Sequence, residues 1–147
     1  MEDFAKKSME KGLYFVAVKL LLRDGDKLLI THDIFDAWDI PGGRMKPHEF
    51  GGDIKDVLRR KMIEELGDDL EYEIAEPVVF FQVERQDYGT TDISRIVAIG
   101  FEGKYLGGDI VLGEHHDKYE WVDVKKFKPE EYFTGGWLKG VAKYQKI

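Results

Sequence analysis

This chain has no cysteine, which excludes disulfide frameworks, thiolate zinc sites and cysteine nucleophiles together. Basic residues are in deficit, with 22 Lys and Arg against 29 Asp and Glu, a formal net charge of -7. Nucleic acid and anionic membrane surfaces both call for basic patches, so neither is an expected partner. A small anionic ligand remains compatible, because a local arginine cluster or a metal can bind it. No apolar run approaches the ~18 residues of a membrane-spanning helix. The segment from Met1 to Gly12 is charged and unlike a secretory leader. These absences lead us to expect a soluble, cytoplasmic protein. There is no repeat, low-complexity tract or linker. The 147 residues are 43% hydrophobic and 13% aromatic, which suits one domain over residues 1–147 with its own core.

Leu13 to Leu22 is rich in β-branched and aromatic residues and reads as a strand. Asp24-Gly25 is a hairpin turn signal, and Lys27 to Thr31 is the returning strand. Asp53 is an N-cap residue and Gly67 a C′ residue, so the pattern predicts a helix from Ile54 to Leu66. Ile54, Val57, Leu58 and Met62 form its apolar side, with Glu65 at the edge. Further strands are expected at Tyr72 to Glu84, Ser94 to Tyr105 and Tyr119 to Val122, with a hairpin loop around Gly89. A closing helix over Trp137 to Lys146 would turn Trp137, Leu138, Val141 and Tyr144 inward. Strands interleaved with two helices give a mixed sheet covered by helices, the α/β (α+β) class.

The chemistry concentrates in Trp38-Asp-Ile-Pro-Gly-Gly-Arg44 and Arg60-Lys-Met-Ile-Glu-Glu-Leu-Gly67. A glycine pair after a proline turns the backbone sharply and leaves its carbonyls uncovered. Adjacent carboxylates at Glu64 and Glu65 can hold a hard cation such as magnesium. A divalent metal beside exposed backbone is suited to handling diphosphates. Lys61 is the discordant residue. It lies three and four positions before those carboxylates, so all three are neighbours on the helix. Its ammonium either bridges them as a tethered cation or swings out to solvent.

Gly43, Glu49, Arg60, Met62, Glu64, Glu65 and Gly67 resemble the signature of the Nudix family, and Trp38 to Gly43 resembles its lead-in. The resemblance implies an α/β/α sandwich around a mixed central sheet. It also implies a hydrolase of nucleoside diphosphates linked to another group, dependent on Mg2+ or Mn2+. Carried over, Gly42 or Gly43, Glu64 and Glu65 hold the metal, while Glu49 and Arg60 pair to brace the loop. Three departures stand out: ten residues rather than seven separate Glu49 from Arg60, Asp68 replaces an apolar residue, and Lys61 replaces a glutamate.

A second constellation is Glu114-His-His-Asp-Lys-Tyr-Glu-Trp121. Imidazole titrates near neutral pH and suits general-base or ligand roles. On extended chain His115 and His116 point opposite ways, so one at most should face a site. The segment is similar to the acidic-His stretch that precedes a Tyr/Phe-x-Trp strand in many Nudix proteins, and to the GDP-mannose mannosyl hydrolase branch in particular. That branch implies His116 as general base, Glu65 as a metal ligand, and Arg44 as support for the leaving diphosphate, with His32 a partial match to a further arginine. Nucleotide sugars are then the favoured substrates, attacked by water at carbon or at phosphorus. Arg85 and Arg95 are candidate phosphate ligands or salt-bridge partners, and Glu84 a candidate additional base. Trp38, Tyr88 and Phe81 could stack a base or belong to the core. The alternative function is a catalytically impaired nucleotide-binding or regulatory domain, which Lys61 favours. The sequence leaves a homodimer open.

Overall fold

Alternation of apolar side chains along a strand exposes two faces, and a strand covered on both must be apolar on both. Phe15–Asp24 meets that condition: Val18, Leu20, Leu21 and Leu22 are each at most 3% exposed. In the computed structural model, which describes residues 2–147, this strand is the centre of the protein. In chain order the elements are α1 (Glu2–Met9), β1 (Phe15–Asp24), β2 (Lys27–Asp33), β3 (Trp38–Asp39), β4 (Gly42–Arg44), α2 (Ile54–Leu66), β5 (Glu71–Gln86), β6 (Ile93–Gly107), β7 (His116–Asp123) and α3 (Gly135–Gln145). The seven strands form one mixed sheet ordered β3-β2-β1-β6-β5, with β4 attached to β1 and β7 to β2. β1 runs parallel to β6 and antiparallel to β2 and β4.

On one face Val18, Leu20 and Leu22 pack with Val57, Leu58, Met62 and Leu66 of α2. On the other, Leu21 belongs to a cluster with Val79, Phe133 and the α3 residues Val141 and Tyr144. The result is the expected sandwich of helices around a mixed sheet. Among the described residues no helix is long and apolar enough to cross a membrane.

The α2 boundaries are those its caps require. The Asp53 side chain accepts from the Lys55 N–H at 3.0 Å, and Gly67, at φ 87°, ends the helix. Other expectations need correction. β1 starts at Phe15 rather than Leu13, which is 99% exposed. β7 starts at His116 rather than near Tyr119, because His116 pairs with Asp33 of β2. The helix α1 was not expected. Its described side chains are exposed and join no core cluster. Its acidic first turn and basic last turn complement the helix dipole.

The hairpin β1–β2 pairs only at its closed end, through Arg23–Leu28 and Asp24–Lys27. Further along β1 its neighbour is β4, with Ala17, Val18 and Lys19 opposite Arg44, Gly43 and Gly42. The glycine pair is thereby pressed onto the central strand. Gly42 has φ 137°, and a Cβ there would fall 2.1 Å from the Val18 carbonyl oxygen, a backbone atom that cannot yield. A Cβ on Gly43 would meet only the flexible end of Lys61, 2.5 Å from Cε. Gly42→Ala is therefore expected to cost about 3 kcal/mol and lower Tm by roughly 10 °C, with Gly43→Ala costing much less. Thermal unfolding of the two variants side by side checks the difference.

Candidate active site

Helix ends leave carbonyls without intrahelical partners, and at the end of α2 the chain ahead of β7 supplies them. The Gly113 N–H donates to the Glu65 carbonyl at 3.0 Å and the Val111 N–H to the Leu66 carbonyl at 2.9 Å. This docking brings the histidine segment beside the acidic end of α2. At the same helix the Gly42 N–H donates to Glu65 Oε2 at 2.9 Å. Three distant pieces of chain thus meet around a cavity of about 900 Å³. Its lining includes Gly42, Gly43, Arg44, Lys61, Glu64, Glu65, Arg85, His115 and His116.

The two carboxylates lie in opposite environments. Burial pushes Glu65 up to about 7, against the attraction of Lys19, the Gly42 N–H and Lys61, with Asp39 adding to the rise. Burial also acts on Glu64, but hydrogen bonds from Arg60 and Lys61 prevail and hold it below the usual carboxylate range. Neighbouring acids pushed apart in this way are suited to different roles. Burial lowers His116, only partly offset by Asp39 and Asp33, and favours the neutral imidazole that a base requires.

Lys61 does not swing out to solvent. Its Nζ donates to Glu64 Oε2 at 3.1 Å and stands 3.9 Å from Glu65 Oε1. Arg60 spans Glu49 through two hydrogen bonds of 2.8 and 2.9 Å, and also reaches Glu64 Oε1 and the Arg44 carbonyl. The Arg60 guanidinium holds Glu49 down at about 2. The pair therefore fastens the loop before α2 to the helix.

Arg44 lines the cavity but is already engaged. It contacts both Asp87 oxygens, at 2.6 and 3.4 Å, and its guanidinium lies 4.6 Å from the Phe15 ring centroid. Arg85 has no ion-pair partner among the described residues, so its guanidinium fork is available to an anion. Arg95 instead bonds Glu84 at 3.2 Å and lies outside the cavity lining, which removes it as a phosphate ligand. The same bond occupies Glu84. His32 also needs correction. It is 6% exposed, with Nδ1 2.7 Å from Asp117 and Nε2 2.9 Å from Asp36, and its ring does not line the cavity. Both ring nitrogens are occupied, leaving nothing for a substrate. Phe81 packs on Trp137 in the core, whereas Trp38 and Tyr88 line an adjoining cavity of about 400 Å³. Both histidines border the main cavity, contrary to the alternation argument, because His115 is in the turn before β7.

Sequence reasoning missed Lys19 and Asp39. Lys19 is 4% exposed, and its Nζ donates to both Asp39 oxygens and to the Ile40 carbonyl, each at 3.1 Å. It lies 4.7 Å from the Trp137 ring centroid. The available signal was a lysine inside the apolar run Phe15-Val-Ala-Val-Lys-Leu-Leu-Leu22. Asp87, which fixes Arg44, was missed as well and had no such signal.

The family model described as NUDIX domain matches residues 13–139. Among solved structures, the chain is similar to a MutT protein from Methanosarcina mazei Go1, with 24% identity, a TM-score of 0.69 and coverage of 92% of this chain and 96% of that one. It is similar to an ADP-ribose pyrophosphatase from Streptococcus suis 89-1591, with 14% identity, a TM-score of 0.65 and 91% of each chain covered. A UDP-X diphosphatase aligns at 10% identity and a TM-score of 0.62, over 99% of this chain and 68% of that one. No curated protein matches in sequence.

The shift of Glu65 has a consequence for stability. A carboxyl whose folded pKa lies above its unfolded value of 4.5 stabilises the fold below that value, and the contribution is lost as pH rises through about 7. In chelator-treated protein, Glu65→Gln should gain on wild type by on the order of 3 kcal/mol between pH 4 and pH 8. Urea unfolding of both proteins across that range measures the gain, and a pH-independent difference contradicts it.

Proposed function

The chain belongs to the NUDIX domain family, and from that premise we propose that it is a metal-dependent hydrolase of nucleoside diphosphates linked to another moiety, nucleotide sugars being the favoured substrates. The observation that carries this reading is the convergence of Glu64, Glu65, Arg85 and His116 on one cavity. ADP-ribose pyrophosphatase and UDP-X diphosphatase, by their names, act on nucleoside diphosphates with a second group attached, which agrees with the substrate class.

A divalent ion fits the donors present. Glu64 and Glu65 supply carboxylate oxygen beside the backbone of Gly42 and Gly43. No group of three or more acidic or histidine side chains able to hold a metal exists among the described residues. Mg2+ suits such a sparse set, because it keeps several waters and takes phosphate oxygens of the substrate. Bound there, it would offset the charge that develops on a departing diphosphate.

The remaining work falls to the chain. Arg85 presents guanidinium donors to the diphosphate. Arg44, fixed by Asp87 and Ser94, contributes positive charge from a set position. Neutral His116 accepts the proton of the attacking water, at carbon or at phosphorus. Glu65 must ionise to serve as a ligand, so binding of the ion below about pH 7 should release a proton.

A second reading, a nucleotide-binding or regulatory domain without catalysis, draws on Lys61, whose ammonium stands at the carboxylate pair. Product analysis on a panel of nucleotide sugars, dinucleotides and nucleoside triphosphates with Mg2+ or Mn2+ decides between them. Hydrolysis of at least one nucleotide sugar is the expected outcome, and sugar plus nucleoside diphosphate would place the attack at carbon. Sugar phosphate plus nucleoside monophosphate would move the attack to phosphorus, and no turnover of any compound would favour the binding domain. On a substrate so found, Glu65→Gln should abolish turnover and His116→Gln should lower kcat by about 100-fold or more. Full activity in either variant removes the role given to that residue.

A further inference from the structure

Ion pairs on the solvent side of a helix leave both side chains largely in water and contribute little. The Arg59–Asp56 pair on the outer side of α2 shows that state, with side chains 50% and 68% exposed. Lys61 is held differently. Its side chain is 22% exposed, its stem lies against Gly43, and its ammonium stands 3.1 Å from Glu64 and 3.9 Å from Glu65. The helix fixes one end of the side chain and Gly43 lies against the other, at Cδ and Cε. The absence of a Cβ at Gly43 is what leaves room for that stem.

The charges around it are also accounted for. Arg60 is committed to Glu49 and takes the oxygen of Glu64 that Lys61 does not. Glu65 has one oxygen on the Gly42 N–H and turns the other toward Lys61. Lys61 is therefore the one cation of this helix, among the described residues, that contacts both carboxylates. An ammonium is a compact point charge with three donors, so it can satisfy carboxylate oxygens much as a small cation would.

Resting on the reading of Glu64 and Glu65 as ligands for a divalent ion, we propose that Lys61 is a built-in cation of the site. Its ammonium supplies, in place of a further divalent ion, positive charge at the Glu64–Glu65 pair, and so limits the chain to one such ion there. That charge is present whatever the ion concentration, and it repels additional divalent ions from the same carboxylates. Lys61 in this role is a positioning residue: it sets the charge and occupancy of the donors.

Mn2+ titration of the full chain without substrate, followed by the electron paramagnetic resonance of free ion, tests this. The ions that count are those abolished by Glu65→Gln. Wild type should take one. Lys61→Met should also take one, bound at least threefold more tightly because the competing ammonium is gone. Lys61→Glu should take two. Circular dichroism melts establish that each variant is folded. If Lys61→Glu does not fold, Lys61→Met decides, and unchanged affinity overturns the proposal. Two ions in wild type, or no gain in folded Lys61→Glu, overturns the role of Lys61 while leaving the ligand reading standing. No Mn2+ uptake by any chain at millimolar concentration overturns both.

Discussion

The hydrogen bond from the Gly42 amide to Glu65 is the contact on which the site depends. It ties the glycine loop, pressed against the central strand, to the end of the helix that packs over the same strand. Hydrogen bonds to a charged acceptor are stronger than neutral ones, and burial raises the cost of losing them. Yet a single amide does not offset the desolvation of Glu65, which is why its carboxyl is pushed up to about 7. The geometry is thus fixed while the charge is left unsettled. A carboxylate held in place but incompletely neutralised is well disposed to receive a cation.

The rest of the cavity distributes charge around that centre. Arg44 is paired with Asp87 and Lys19 with Asp39. Such pairs hold the cavity wall rigid and fix where its charges stand. Arg85 and His116 have no such partners among the described residues. Reactivity toward an anionic substrate therefore falls to few groups, although the cavity is lined by many charged ones. The acidic chain overall is no obstacle, because recognition of a small diphosphate is local.

Much of the fold was legible in the sequence. Asp53 and Gly67 bounded α2 because caps are local chemistry, and Asp24-Gly25 placed the first hairpin for the same reason. The helix α1 was not read from the sequence, and its described side chains add nothing to the core that the strand and helix patterns report. Within the site, Gly42 was identifiable because close backbone approach imposes glycine, Gly43 as its neighbour in the turn, and Glu64 and Glu65 as adjacent carboxylates. His32 misled. Its place at the end of a strand was read correctly, but its partners Asp36 and Asp117 come from a turn and from β7, and no sequence spacing links the three.

Lys19 shows the boundary most sharply. Its local pattern announced a charge inside a buried strand, and a buried charge needs a partner. What the pattern could not supply was the partner. Asp39 lies 20 positions away and reaches Lys19 because the chain folds back so that β4 docks beside β1. The same docking presses Gly42 against Val18 and delivers its amide to Glu65. One topological event, the replacement of β2 by β4 at the edge of β1, therefore sets both the buried ion pair and the contact that holds the carboxylate. Sequence spacing reports the residues that such an event requires, but which residues meet is decided by the sheet.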